Sequence, residues 1–187
     1  MRVLVIPEDV RKDQYMLKPV IEGMMKAKDK KRAKVIVCQN PRLRGISQAL
    51  KWKQLEQIIE QYKSRIDLYL LCVDRDGTPG RRDALNNIER QAANILPEDK
   101  QFLAENAWQE IEVWVLAGHT LPKKWNWDEV RAEVNPKEIY FLPFAKQRNL
   151  LDEPGEGRKT LALEAAKRYS RIRQLCPEVA ELERRIK

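Results

Sequence analysis

Glu8 follows the apolar run Arg2–Ile6, and Asp74 and Asp76 follow a second one, Leu68–Val73. Both runs read as buried strands of a parallel sheet. The three carboxylates then sit just past the carboxyl ends of strands, the edge where open α/β sheets form ligand crevices. Side chains alternate along extended chain, so an Asp-x-Asp pair aims both carboxylates the same way. Two or three carboxylates suffice for Mg²⁺, which takes hard oxygen ligands and keeps several waters; Mn²⁺ suits the same set. An ion held there can orient a water and neutralise charge on a breaking phosphodiester. The plainer alternative is that these acids begin turns and cap helices, most simply for Asp76 before Gly77.

Other residues gather around this set. Glu112 lies in the apolar run Ile111–Leu116, which reads as a fourth strand. A charge inside such a run is costly unless paired or metal-bound, so Glu112 either completes the metal site or faces solvent on an edge strand. Glu110 is a weaker candidate. Asp13 is placed to reach the same crevice, with a helix-capping role as the alternative. Arg42, Arg44, Arg81 and Arg82 fall in loops or at a helix start and are candidates for holding phosphates. They can equally screen the carboxylates. His119, the sole histidine, reads as a surface residue or as a proton shuttle near the metal. Trp125 and Trp127, in a Lys-rich loop, read as core or as base-stacking residues.

The elements that must position these residues follow from periodicity. Met16, Val20 and Met24 beside Leu17, Ile21 and Met25 mark a helix over about 13–28. Val35–Cys38 is a short second strand. Trp52, Leu55, Ile58, Ile59 and Tyr62 mark another helix. Arg81 to Ile95 is a third helix, broken by Pro97. Asn126 and Glu129 have capping-box spacing for a short helix. The tail is helical, with a stripe from Ala162 to Cys176 and a last piece from Pro177. The order βαβαβαβ plus helical tail predicts an α/β fold. Its core is a mainly parallel sheet flanked by helices, with a helical C-terminal appendage. One domain over 1–187 is expected, with its core at about 1–119 and its extension at about 120–187.

Composition bounds the function. The net charge is +8, and residues 24–65 carry twelve Lys/Arg against Asp29, Glu56 and Glu60. Basic flanks around an acidic centre suit a polyanion held beside a metal, and nucleic acid is the expected partner. Solvated helix faces are the alternative. Three scattered cysteines read as reduced core residues, and a cytoplasmic location is expected. No apolar run approaches the ~20 residues of a membrane span, and the N-terminus reads as a strand rather than a secretory signal. A single histidine argues against a zinc enzyme.

A glutamate after strand one and an Asp-x-Asp after strand three resemble the Toprim fold, the metal domain of topoisomerases, bacterial primases and OLD-family nucleases. The match is nearest to small stand-alone Toprim-like proteins related to the OLD nuclease domain. Pro7-Glu8-Asp9, Asp13 and Tyr15–Ile21 are similar to their opening, Ile111–Ala117 to a later segment, and Cys176-Pro177 to their tail. The resemblance covers most of the chain and is poor over 120–157. Asp9 stands where a glycine is usual, and Gly118-His119 where an acidic residue follows. The resemblance implies a Rossmann-like Toprim domain. It further implies a Mg²⁺-dependent nuclease of bacterial anti-phage defence, often paired with a separate ATPase. Glu8, Asp74 and Asp76 would be ligands and Glu112 a fourth. A catalytically idle module that binds nucleic acid or such an ATPase is the alternative. A second resemblance, to response-regulator receivers, fails because Cys72 holds the phospho-acceptor position.

Overall fold

In the computed structural model, which describes residues 1–187, the expected α/β architecture is present. β1 (Arg2–Pro7) leads into α1 (Val10–Ala27) and β2 (Lys34–Val37). Then come α2 (Ile46–Ala49), α3 (Trp52–Tyr62), β3 (Leu68–Asp74), α4 (Arg81–Ala93) and β4 (Gln101–Ala107). The remainder is helical: α5 (Glu112–Ala117), α6 (Trp127–Ala132), a π-helical turn (Lys137–Phe141), α7 (Leu142–Gln147), α8 (Arg158–Lys167), α9 (Tyr169–Leu175) and α10 (Pro177–Arg185). No helix is long and apolar enough to cross a membrane.

The four strands form one parallel sheet in the order β2-β1-β3-β4. Continuous apolar strands are what a sheet covered on both faces requires. The period of two sorts their side chains: Val3, Val5, Leu68, Leu70 and Cys72 join one core, and Leu4, Ile6, Tyr69, Leu71 and Val73 the other. The first core is closed by α1, α5 and the C-terminal helices, and the second by α3 and α4. The chain therefore leaves β1 on one face and β3 on the opposite face. Their carboxyl ends splay apart, so the crevice between β1 and β3 is a topological switch point. Glu8 and Asp74 border it.

The fourth strand is not the one expected. Ile111–Leu116 belongs to α5, and β4 lies ten residues earlier, in Gln-Phe-Leu-Ala-Glu-Asn-Ala. Every residue of α5 is buried, so its run is apolar all round. A short continuous apolar run carries no period that separates buried strand from buried helix. The segment 101–107 hides its strand character behind Glu105 and Asn106, both buried. Glu105 is neutralised there by Arg82 and Arg185, at 3.0 and 2.9 Å.

The tail is more than an appendage. Leu161, Ala162, Ala165, Tyr169, Ile172, Cys176, Val179 and Leu182 are part of the larger core. The tail packs tightly at Gly118, where a Cβ would lie 2.5 Å from the Cβ of Ala165. Gly118→Ala is expected to cost about 1–3 kcal/mol by overpacking, read from the midpoint of a urea melt. An unchanged midpoint would show that α5 and α8 are free to part.

Candidate metal site

Local structure delivers the acids to the crevice. The extended chain of β1 ends at Pro7, and Asp9 caps α1, its carboxylate accepting from Arg11 N at 3.0 Å. Asp13 answers by accepting from Asp9 N at 3.0 Å. Asp13 is thus both a capping residue and a neighbour of the cluster, and α1 begins three residues earlier than periodicity suggests. On the other strand, Asp74 ends β3, and Asp76 turns the chain with φ 50° ahead of Gly77 at 62°. That left-handed backbone favours Asp and Gly.

Asp74, Asp76 and Glu110 bring one carboxylate oxygen each to within 4.8 Å of one another, an arrangement able to hold a metal ion. Glu8 adjoins them, its Oε2 accepting from Asp74 N at 3.2 Å. Glu110 comes from the β4–α5 loop. Lys137 N donates to its Oε2 at 2.8 Å, and Lys137 Nζ lies 3.8 Å from its Oε1. Gln109, unnoticed in the sequence, ties the two loops together. Its carbonyl accepts from Arg75 N and Asp76 N at 2.8 and 3.1 Å, and its Oε1 from Gly77 N at 2.8 Å. A buried Gln with φ 71° is a strained position. The three bonds hold it there.

The electrostatics are those of a crowded anionic site. Burial first, then the negative charges of Glu112, Asp13 and Glu8, push the Asp74 carboxyl well above the usual range. The bond from Ile111 N to Asp74 Oδ1, at 2.8 Å, offsets only part of this. Burial, with Glu112, Glu8 and Asp9 adding to it, pushes Asp13 up to about 7. Burial likewise pushes Glu110 up to about 7, against the bond from Lys137 N. Glu8 is raised by burial and by Asp76, opposed by its bond from Asp74 N and by Arg81. Carboxylates that repel one another gain from a bound cation, so this set, with Asp76 exposed and Asp74 buried, could hold a metal ion.

The linkage has a definite sign. Folded-state carboxyls raised above their unfolded values bind extra protons in the native state. The stability they contribute is complete below about pH 4 and is lost as pH rises toward 7. Metal-free protein is therefore expected to become less stable between pH 5 and 7.5, through Asp13 and Glu110. Urea melts in EDTA would read this, and stability rising across that window would contradict it.

The other candidates separate. Glu112 is not on a strand: it opens α5, buried, and Arg158 donates to its Oε1 from Nε and Nη2 at 3.1 and 2.6 Å. It does not face solvent on an edge strand: Arg158 pairs with it in the interior, and its charge contributes to raising Asp74. Arg81 is buried at 8 % exposure beside the acidic loop. Its Nη2 is 4.0 Å from Asp76 Oδ2 and makes only 3.4 Å bonds to Arg75 O and Thr78 Oγ1, and its Nε has no partner. Arg82 turns away to Glu105, Glu89 and the Ala104 carbonyl. Arg42 and Arg44 are exposed and line a cavity of ≈ 480 Å³ with Glu8, Asp9 and Arg11. His119 is buried, not on the surface. Its Nε2 lies 2.9 Å from the Leu161 carbonyl, its Nδ1 3.8 Å from Glu164, and its ring packs on Phe144. Burial lowers its pKa, and none of these contacts reaches the carboxylates.

Fold and site together define an α/β protein whose switch-point crevice carries an acidic cluster that could hold a metal ion. No family model, no curated protein and no solved structure matches this chain.

Proposed function

We propose that this chain is a Toprim-like, Mg²⁺- or Mn²⁺-dependent nuclease that hydrolyses phosphodiesters, most naturally in DNA. The observation that carries the reading is the convergence of Asp74, Asp76 and Glu110 with Glu8 beside the under-satisfied guanidinium of Arg81. Such a pairing of anionic donors with a buried, weakly partnered cation suits a phosphodiester bridging the two.

Asp74, Asp76 and Glu110 would hold a divalent cation, which would supply Lewis-acid polarisation and charge neutralisation at the phosphodiester. The protein's own groups do the rest. Glu8, made more basic by burial, accepts a proton from the attacking water as general base. Arg81 donates to a non-bridging phosphate oxygen. Arg42 and Arg44, across Glu8, hold flanking phosphates. Asp13 stays near the cluster as a reserve acid. Arg82 and His119, engaged elsewhere, are left out of this scheme. A separate ATPase partner and a cytoplasmic role in anti-phage defence rest on the Toprim resemblance.

Two observations favour a second reading, a catalytically idle module that binds nucleic acid or an ATPase. Glu112 is committed to Arg158, and Gly118 has no room for a side chain, so two of the expected acidic positions are not free. A plasmid and single-strand cleavage assay with Mg²⁺ or Mn²⁺, with and without EDTA, separates the readings. Metal-dependent cutting establishes the nuclease. Salt-sensitive binding with no cutting at any metal concentration favours the idle module.

A further inference from the structure

We infer that Trp108 and Arg75 form a stacking platform for an unpaired nucleobase beside the acidic crevice, making a single strand or a frayed end the preferred ligand. The inference rests on the nucleic-acid reading above. Trp108 is the residue immediately after β4, whose last residue, Ala107, is in register with Asp74. It is the large aromatic left open at this edge, 38 % exposed. The guanidinium of Arg75, the residue between Asp74 and Asp76, lies over the Trp108 ring at 3.8 Å from its centroid. Arg75 makes no ion pair with either flanking aspartate, although both are covalently close. Its charge is spent on the indole and on solvent.

The Trp108–Arg75 stack is held in place from behind. Arg75 N and Asp76 N are both fixed to the Gln109 carbonyl. Trp108 N donates to Glu178 at 3.3 Å, and Arg131, itself bound to Glu178 at 2.6 Å, places its guanidinium 5.7 Å from the ring. An open surface beside it is lined by Trp108, Asp128, Arg131 and Ala132. Arg131 is paired with Glu178 and Asp128 lies in the same lining, so Arg75, which has no ion-pair partner, is the cation left to meet a phosphate chain. Bases in a duplex are already stacked on each other, so only an unpaired base can extend an indole–guanidinium stack. The phosphate next to such a base then falls toward Arg81 and the carboxylates. Trp125 and Trp127, the aromatics singled out in the sequence, do not compete. Both are partly buried against the main core, and Trp125 packs edge-on against Tyr140 at 5.1 Å.

The test is equilibrium binding of a labelled oligothymidylate and of a closed hairpin duplex. Ca²⁺ replaces Mg²⁺ so that binding is read apart from cleavage. Trp108→Ala is expected to weaken single-strand binding by about tenfold or more and to leave duplex binding within about twofold. Trp108→Phe should keep most of the affinity, and circular dichroism melts should show both variants folded. Equal losses on the two ligands, or no loss on either, would overturn the platform while leaving the nuclease reading standing. A wild-type protein that binds neither ligand would overturn the nucleic-acid reading itself, and the platform with it.

Discussion

Asp74→Asn is expected to abolish metal-dependent cleavage while making the metal-free protein more stable at neutral pH. The two effects have one cause. Asp74 is buried among Glu112, Asp13 and Glu8, and its charge is disfavoured by that setting. Asn keeps the shape and can still accept the bond from Ile111 N, at 2.8 Å in the wild type. It removes the negative charge that a cation needs. Loss of outer-shell partners typically costs 10–100-fold, so loss of a direct ligand is expected to exceed about 100-fold in turnover. Initial rates on plasmid with Mg²⁺ or Mn²⁺, beside urea midpoints in EDTA, would read both effects. Cleavage retained within a few-fold would remove Asp74 from the chemistry. Cleavage lost together with stability would mean the substitution had merely unfolded the crevice.

Arg158→Met is expected to give the largest loss of stability of any single change outside the apolar core. Arg158 is fully buried at the start of α8. It donates to Glu112 at 3.1 and 2.6 Å, to Glu156 at 2.8 Å and to the Gly155 carbonyl at 2.9 Å. Its guanidinium also lies 5.2 Å from the Phe141 ring centroid. Removing it strands Glu112 in a site already crowded by Asp13 and Asp74. Breaking a buried pair from one side costs about 3–5 kcal/mol, because the surviving charge has no partner. Replacing both members with apolar groups of similar volume is often close to neutral. Arg158→Met combined with Glu112→Leu should therefore recover much of what Arg158→Met alone loses. A double-mutant cycle by urea denaturation measures this coupling. A cost below about 1 kcal/mol for the single change would mean the pair is solvated rather than buried. The pair also joins the helix that follows the sheet to the tail, since Glu112 and Arg158 belong to α5 and α8. Its loss is expected to loosen the tail from the sheet before the sheet itself unfolds.

The strands β1 and β3, their trailing acids and the helices α1 and α4 were legible in the chain. Their signals are local: apolar runs bounded by turn residues for the strands, and a 3.6-residue stripe for the helices. Glu8, Asp74 and Asp76 could be placed at one sheet edge because parallel strands with right-handed crossovers leave their carboxyl ends together. What the sequence could not carry was which side chains, distant along the chain, pair with one another. β4 was hidden because two buried polar residues interrupt it, and Glu105 is tolerated only through Arg82 and Arg185, the latter 80 positions away. Glu112 was ambiguous for the same reason, its partner lying 46 residues downstream. Glu110 entered the acidic cluster, ahead of Glu112, only once Ile111–Leu116 was a helix and the preceding loop faced Asp74. Arg81 and Arg82 are neighbours in sequence but point about 100° apart on a helix, so one meets the crevice and the other the ion pairs of β4. Local periodicity determined which elements exist. Only tertiary packing decided which charges face one another, because burial and long-range pairing set the cost of each.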